Sequence, residues 1–353
     1  MADSGAGDRR SESADPHGVR PRGPADLPRR SWQRTLHRAV QQIGPDELTD
    51  RAAALTYYGV LAIFPGALVL VSILGLLGKS TTQTLIDNVG QVAPGAVKSF
   101  TQKVIDTAQS GRGTAGVAAI VGIVLALWSA SGYVGAFMRC SNAIYGIGEG
   151  RPIWKTAPVR VAVTLATVVG LVASLVIVVV TGSVARQAGQ LVGVGSTAVT
   201  AWSIAKWPVL LIIVAAMLAL LYWASPNVKQ PRFRWLSPGA GLAVLIWLVA
   251  SALFAVYVAN FASYNKTYGS LAGIIVFLVW LWITNLAVLL GAEFDAELEH
   301  ERAIQTGLPP DTEPFVVPRD TRKLDDEQTR AVDRAADLRA RDDDAPPDDA
   351  VGD

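Results

Sequence analysis

The chain has 353 residues, of which 31 are Lys or Arg and 30 are Asp or Glu, giving a formal net charge of +1. Hydrophobic residues make up 51% and charged residues 17%, whereas soluble domains carry about 25% charged residues. This composition argues against a soluble enzyme, a strongly basic nucleic-acid-binding protein and a disordered chain.

The charges are distributed unevenly along the chain. Residues 1–38 hold eight basic and five acidic side chains, whereas residues 301–353 hold eight basic and fifteen acidic ones. Both ends have a polar composition that buries too little apolar surface to fold. We therefore expect a disordered cytoplasmic head at 1–30, a membrane domain at 31–300 and a disordered acidic cytoplasmic tail at 301–353.

Six apolar runs lie between the two ends. About 20 apolar residues in a helix cross the hydrocarbon core of a bilayer, which is about 30 Å thick. Each run is continuous rather than alternating, which favours helices over a β-barrel. The sequence therefore predicts an all-α, polytopic integral membrane helix bundle with six transmembrane helices. The expected spans are about 53–77, 116–137, 159–184, 204–223, 238–258 and 271–291.

Lys and Arg residues favour one side of this bundle. The stretch before span one and the connections between spans two and three and spans four and five hold twelve of them, and the other side holds seven over more residues. Positively charged loops stay in the cytoplasm. Arg outnumbers Lys 23 to 8, which is typical of a GC-rich bacterial genome. We expect both termini in the cytoplasm and a multi-pass protein of the bacterial cytoplasmic (inner) membrane.

Residues 31–43 form a separate pattern ahead of the spans. Four apolar side chains recur there at helical spacing, and Arg residues occupy other faces, which predicts an amphipathic helix on the inner leaflet. Docking of this helix against another protein is the alternative. The apolar residues are Trp32, Leu36, Val40 and Ile43.

The connection between spans one and two is long and helical in pattern. It predicts two short helices on the outer surface at about 80–110, broken at Pro94–Gly95.

Polar groups at membrane depth are costly, so each one within or beside the spans is a candidate for function. Phe64–Pro65–Gly66 is expected to interrupt span one, either as a structural kink or as a broken-helix binding site. Asn285, near the middle of span six, is able to bond to a neighbouring helix. Glu293, just past span six, is expected to pair with Arg139 or Arg160. A structural ion pair is favoured there over a proton or ion site.

Other candidates lie at the ends of the spans. Asn142 and Arg139 are expected to tie the second span to the following inner loop, and Lys266 is the only charge in the outer connection between spans five and six. The candidate functional or structural polar residues are Tyr57, Tyr58, Pro65, Ser129, Arg139, Asn142, Tyr145, Lys266, Tyr268, Gly269, Asn285 and Glu293.

No catalytic or metal-binding pattern accompanies these residues. Cys140 is the single cysteine, and His17, His37 and His300 lie outside the apolar core, so a disulfide, a Cys-rich zinc site and a His cluster are excluded. Walker loops, zinc motifs and nucleophile elbows are absent. We expect no catalytic residue, no cofactor, no metal and no enzymatic activity, with the lipid bilayer as the main partner.

Several segments, in this order and spacing, resemble the YihY/BrkB family of inner-membrane proteins. They are RAAALTYYGVLAIFPGALVL in span one, CSNAIYGIGEGRPIWK at 140–155, LYWASPNVKQPRFRWLSPGA at 221–240, YGSLAG, and LLGAEFDAELE at 289–299. Tyr268–Gly269, Leu271 and the Gly291–Ala292–Glu293 triplet are typical features of such proteins.

The resemblance covers about residues 30–300. It implies a six-helix membrane protein with both ends cytoplasmic. Members of the family have been linked to serum resistance in pathogens, and some carry a ribonuclease label, for which the residues of this chain offer no support.

The polar groups in the spans favour a transporter or permease with an unknown substrate. Since no ATP-binding motif is present, transport is expected to be passive or ion-coupled. The alternative is a non-transporting envelope protein, of structural, interaction or virulence type, whose segment at about 80–110 meets an envelope protein or lipid partner. A membrane enzyme acting on lipid is a third hypothesis. No nucleic-acid partner is expected, and the sequence leaves the oligomeric state open.

Overall fold

The computed structural model describes residues 29–76, 115–179, 196–230, 237–260 and 270–343. Within these ranges the chain is helical apart from short connections, the segment 306–325 and one isolated bridge between Val228 and Pro318. The helices are α1 (Arg29–Gln41), α2 (Leu48–Leu76), α3 (Ala115–Ile144), α4 (Ile153–Val179), α5 (Ser196–Ala224), α6 (Pro238–Asn260), α7 (Ser270–Gln305) and α8 (Asp326–Asp343).

Some sequence predictions fall outside the described residues. They are most of the head at 1–30, the outer segment at about 80–110, and the candidates Lys266, Tyr268 and Gly269.

Four of the described helices are long and apolar enough to cross a membrane. Their apolar segments are Ile153–Val178, Thr200–Ala224, Pro238–Ala259 and Ala272–Gln305. These segments correspond to predicted spans three to six. α2 and α3, of 29 and 30 residues, occupy predicted spans one and two. The described part of the chain is therefore a helical bundle of the multi-pass membrane type.

The long helices pack side by side in chain order from α2 to α7, and α7 also packs against α2 and α3. Buried residues concentrate at one end of the bundle, where α2, α4 and α6 begin and α3 and α5 end. We call this end the polar end, because the buried charged side chains also lie there. Towards the other end, apolar side chains such as Val169 and Leu253 are exposed, as expected for a surface that contacts lipid tails.

α2 runs without a break through positions 64–66. The broken-helix form of the predicted interruption at Phe64–Pro65–Gly66 is therefore wrong, and the structural kink stays a prediction. A proline removes one hydrogen bond and crowds the preceding turn, but neighbouring helices and local adjustment allow membrane helices to continue past it. α4 and α5 likewise continue past Pro158 and Pro208.

The predicted amphipathic helix is confirmed as α1, and it has two distinct sides. Ser31, Thr35 and Ala39, spaced four apart, are buried where α1 packs on α7. Leu36 and Val40 are 48% and 57% exposed. α1 therefore docks through small residues and leaves an apolar edge outside. Its position on the inner leaflet stays a prediction.

The segment that follows α7 differs from the expected disordered tail. Residues 306–325, which we call the C-terminal segment, cross the polar end and bury Leu308, Phe315 and Val316. α8 follows and buries Ala335. The overall acidic composition of 301–353 concealed these few apolar residues, whose burial holds the segment against the bundle.

Candidate functional site

One face of α7 carries a series of buried polar side chains. Asn285, Glu293, Glu297 and Glu301 are separated by multiples of four residues, so they follow one side of the helix. Each of the four is at most 5% exposed. We call these four residues the α7 polar face. It begins inside the apolar bundle and ends beyond it, at the polar end.

The inner end of this face is a hydrogen-bonded group that joins three helices. Tyr133 on α3 donates its hydroxyl hydrogen to Oδ1 of Asn285 at 2.8 Å. Asn285 Nδ2 in turn donates to Thr56 Oγ1 on α2 at 3.0 Å, and Thr56 donates to the carbonyl of Ala52 at 2.8 Å. Asn285 thus makes the interhelical bond that its position in span six suggested. Such bonds within membranes are worth about 0.6 kcal/mol each.

Three other candidates near span one lie apart from Asn285. Ser129 donates to the carbonyl of Leu61 at 2.8 Å and ties α3 to α2. Tyr58 lies under the guanidinium of Arg139, which is 5.6 Å from the ring centroid. Tyr57 is 62% exposed and does not join the α7 polar face.

The predicted partners of Glu293 are wrong. Arg160 donates through Nε and Nη2 to the carbonyl of Ser131, at 3.2 and 3.1 Å. Arg139 donates to the carbonyl of Gly135 at 3.1 Å, four residues back on its own helix. Both guanidiniums are held by α3 carbonyl groups and do not reach Glu293. This result also shows that Arg139 does not tie α3 to the inner loop.

Glu293 contacts another carboxyl group instead. Its side chain is hydrogen-bonded to that of Asp46, in the turn between α1 and α2. Its Oε2 atom is buried and has no hydrogen-bond partner among the described residues. Burial raises the pKa of Asp46, although its hydrogen bond to Glu293 and the charge of Arg51 oppose that rise.

The outer end of the α7 polar face is bound to α1. Arg38 forms an ion pair with Glu301 at 2.7 Å and approaches Glu297 at 3.8 Å. Arg34 contacts the other oxygen of Glu301 at 3.2 Å. The two Arg residues of α1 thus neutralise Glu301, whereas the buried Oε2 of Glu297 has no hydrogen-bond partner among the described residues and only the longer contact with Arg38.

α6 is fixed to α7 beside this face. Asp295 Oδ1 accepts a hydrogen bond from the backbone N–H of Gly239 at 2.7 Å, and Ser237 Oγ accepts one from Ala240 at 3.0 Å. These bonds satisfy free N–H groups in the first turn of α6. Tyr222 on α5 donates to the carbonyl of Val288 at 2.6 Å and brings a third helix to α7.

Asn142 does tie the end of α3 to the inner loop, as predicted. Asn142 Nδ2 donates to Glu149 at 3.0 Å, and its Oδ1 accepts from the backbone of Asn227 at 2.7 Å. Glu149 also receives two bonds of 2.7 Å from Arg151, which is itself buried. Burial disfavours the charge on Glu149, but the hydrogen bonds from Arg151 and Asn142 and the charge of Arg151 together outweigh that effect and lower the pKa of Glu149.

The C-terminal segment attaches to this group through Asn227 and Asp320. Asn227 Nδ2 donates to the carbonyl of Asp320 at 2.8 Å, and the N–H of Asp320 donates to Asn227 Oδ1 at 3.1 Å. The Asp320 carboxylate accepts bonds from Arg322 and Lys155, each at 2.8 Å. The hydrogen bond from Arg322 lowers the pKa of Asp320 well below its usual range.

Tyr145 occupies the same region. Its hydroxyl accepts a hydrogen bond from Gln230 at 3.3 Å, and its ring lies 6.1 Å from that of Phe315 in the C-terminal segment. Phe315 also stacks on His300 at 4.4 Å. Tyr145 therefore helps to hold the C-terminal segment and does not belong to the α7 polar face.

Sequence reasoning missed Asp46, Asn227, Asp295 and Glu301. The four-residue spacing of Asn285, Glu293, Glu297 and Glu301 is a signal that could have revealed the α7 polar face. In the described ranges, no group of three or more His, Cys, Asp or Glu side chains is arranged to hold a metal ion. The α7 polar face offers one amide group and three carboxyl groups, all buried.

Comparison with known proteins shows the family to which this chain is similar. The family model for virulence factor BrkB matches residues 39–314. The chain is 30% identical over 266 residues to the putative ribonuclease-like protein YfkH of Bacillus subtilis (strain 168), covering 75% of this chain and 94% of the relative.

Two further relatives are UPF0761 membrane proteins. VV0203 of Vibrio vulnificus (strain YJ016) is 28% identical over 74% of this chain and 82% of its own length. PBPRA3489 of Photobacterium profundum is 28% identical over 75% of this chain and 81% of its own length. No solved structure matches. With most of its length matched by the family model, this chain belongs to the virulence factor BrkB family of multi-pass membrane proteins.

Proposed function

We propose that this protein is a transporter or permease of the bacterial inner membrane, with six spans, both termini in the cytoplasm and a substrate still to be identified. The observation that carries the proposal is the α7 polar face, which runs from Asn285 inside the apolar bundle to three buried carboxyl groups at the polar end. Polar and ionisable groups at membrane depth are expensive and mark pathways for ions or solutes.

One apolar residue interrupts the row of polar side chains on the α7 polar face, as expected for a closed conformation. Leu289 lies between Asn285 and Glu293 on the same face and is fully buried. A solute that reached Glu293 from the polar end would meet this apolar side chain before it reached the Asn285 group. Opening therefore requires α7 to move relative to α2 and α3, the helices that hold Asn285.

Transport in this proposal is passive or ion-coupled, and the protein is not an enzyme. The chain lacks a phosphate-binding loop, so nucleotide hydrolysis has no site. The word ribonuclease belongs to the name of the YfkH relative. Purified protein incubated with structured and unstructured RNA is expected to leave both intact. Cleavage that follows the protein through two purification steps would contradict this expectation.

The proposed topology rests on the alternation of helix ends and on the position of basic residues. Arg51, Arg151, Lys155 and Arg319 all lie at the polar end, which we assign to the cytoplasm. Single cysteines at Thr321 and Thr200, in a Cys140→Ser background, test this in whole cells. A membrane-impermeant thiol reagent is expected to modify position 200 and to reach position 321 only after lysis. The reverse pattern would contradict the assigned orientation.

Solute flux in proteoliposomes tests the transport itself. Vesicles loaded with a mixture of ions, amino acids, sugars and lipid precursors are compared with protein-free vesicles, and the lost solute is identified by mass spectrometry. Tyr133→Phe removes one hydroxyl from the Asn285 group and is expected to change the flux, whereas Tyr57→Phe on the exposed face leaves it unchanged. If the protein moves no solute of any class, the proposal fails. The envelope-interaction alternative then gains support if residues 77–114 cross-link to an envelope component in cells.

A further inference from the structure

Glu293 and Asp46 are two acidic residues whose carboxyl groups are neighbours at the polar end. Glu293 is 1% exposed, its Oε2 is buried without a hydrogen-bond partner among the described residues, and its carboxyl group lies against that of the half-buried Asp46. Two ionised carboxylates repel each other and neither can donate a hydrogen bond. The burial of Glu293 beside a second acid therefore favours one proton held between the two groups.

The basic residues near Glu293 are bound to other groups and do not neutralise it. Arg139 and Arg160 are bound to carbonyl groups of α3, and Arg38 pairs with Glu301. Arg51 donates to the backbone carbonyl of Asp46 at 2.6 Å and acts on the Asp46 side chain. The nearest positive charge therefore balances Asp46, and Glu293 lacks an ion-pair partner among the described residues.

The groups around the pair come from every packed element and are mostly acidic or neutral. They are Arg38 from α1, Glu47 from the following turn, Arg51 from α2, Cys140 and Tyr145 from the end of α3, Asp295 and Glu297 from α7, and Glu313 from the C-terminal segment. Glu297 and Glu313 oppose a second negative charge at the pair.

We propose that Glu293 and Asp46 form a proton-binding site in which Glu293 holds the proton and donates a hydrogen bond to the ionised Asp46. Glu297 and Glu301 differ from Glu293 because each forms an ion pair with Arg38, although the longer pair, at 3.8 Å, leaves Glu297 Oε2 without a hydrogen bond among the described residues. The second part of the inference rests on the proposed function: this proton is the ion that couples to transport.

The geometry supplies a route for the proton. Asp46 is the more exposed of the two groups and takes a proton from a hydronium ion, whose O–H bond breaks to leave water as an O–H bond forms on Asp46. That bond breaks as an O–H bond forms on Glu293, and Asp46 becomes ionised again beside Arg51. Release follows the same two steps in reverse. The unpartnered Oε2 of Glu293 is the atom left for a solute or water on the inner side.

The variant Glu293→Gln separates a proton-binding role from a structural one. Glutamine has the shape of protonated glutamate and is also able to donate a hydrogen bond to Asp46, and a neutral group of the same shape replaces a buried acid at little cost. Glu293→Gln is therefore expected to unfold at nearly the wild-type temperature while it loses the carboxyl proton.

Infrared spectroscopy of the purified full chain in detergent tests the proton site without any transport assay. The carbonyl stretching band of a protonated carboxyl group is followed from mildly acidic to mildly alkaline pH, in H2O and D2O. We expect a band that persists at neutral pH and shifts in D2O. The band should be absent in Glu293→Gln and retained in Glu299→Gln, a matched acid that pairs with Arg302 on the same helix.

Three results would overturn the inference. They are the absence of a protonated carboxyl band at neutral pH, a band that survives in Glu293→Gln, and a band that disappears only in Asp295→Asn. Glu293→Ala serves as a second variant if Glu293→Gln fails to fold. A protein that shows the band but moves no solute keeps the proton site and loses the proposed function, so the two failures are distinguishable.

Discussion

Gly239 at the start of α6 and Gly291 in α7 meet backbone to backbone. A Cβ atom on Gly291 would lie 2.6 Å from Cβ of Ala243 and 2.7 Å from the Tyr222 hydroxyl, closer than real Cβ atoms approach. The close approach allows Asp295, one turn further along α7, to bond to the first turn of α6. The position of the α7 polar face beside α6 therefore depends on these two glycines.

Gly291→Ala is expected to destabilise the bundle by about 1–3 kcal/mol, because the added methyl group forces α6 away from α7. Thermal unfolding in detergent measures the effect. Gly241→Ala is the matched control, since nothing lies within 4 Å of a Cβ at that position. Equal unfolding temperatures for the two variants would contradict the close packing.

Arg38→Ala is expected to release α1 from α7. The change leaves Glu301 buried with the more exposed Arg34 as its only remaining charged partner among the described residues, at a cost of about 1–3 kcal/mol to the docking of α1. Hydrogen exchange of residues 31–41 should become faster while that of α6 stays unchanged. The control is Arg30→Ala, at an exposed position of the same helix. Unchanged exchange of α1 in Arg38→Ala would show that the small residues alone hold it.

Asn227→Ala is expected to free the C-terminal segment. Asn227 is fully buried and bonds to the backbone of Asp320 in both directions, and unsatisfied buried groups cost about 1–3 kcal/mol each. Limited proteolysis should cut within 306–325 faster than in the wild type. Asp337→Ala, at an exposed position of α8, should show the wild-type rate.

Docking of the C-terminal segment is expected to weaken in acid. The pKa of Asp320 is lowered in the folded protein, so its stabilising effect is complete above the unfolded value of about 3.9 and is lost as the pH falls through the folded value. A spin label on Thr321→Cys, in a Cys140→Ser background, should become more mobile as the pH drops below about 4. The same label in Asp320→Asn should respond much less to pH. A label whose mobility is constant with pH in the wild type would contradict the role of Asp320.

Features that depend on a single helix were predicted correctly from the sequence. Continuous apolar runs predicted the long helices, since helices satisfy their own backbone groups in lipid. The sequence also located Asn285 and Asn142, because isolated polar residues stand out against an apolar background.

Contacts between distant segments were not accessible from the sequence. Glu293 was assigned to arginines near the same membrane edge, but those arginines bond to carbonyl groups of α3, and the actual neighbour, Asp46, lies ahead of the first span, far away along the chain. The C-terminal segment was missed because its few apolar anchors, such as Phe315, are spread among charged residues.

The central claim is that the α7 polar face moves a solute together with a proton. Proteoliposomes that contain a pH-sensitive dye test it directly when candidate solutes are added outside under an imposed pH gradient. We predict that at least one solute accelerates proton movement with the wild-type protein and with Glu299→Gln. In Glu293→Gln this acceleration should be absent. If no solute accelerates proton movement, or if Glu293→Gln behaves as the wild type does, the claim is contradicted.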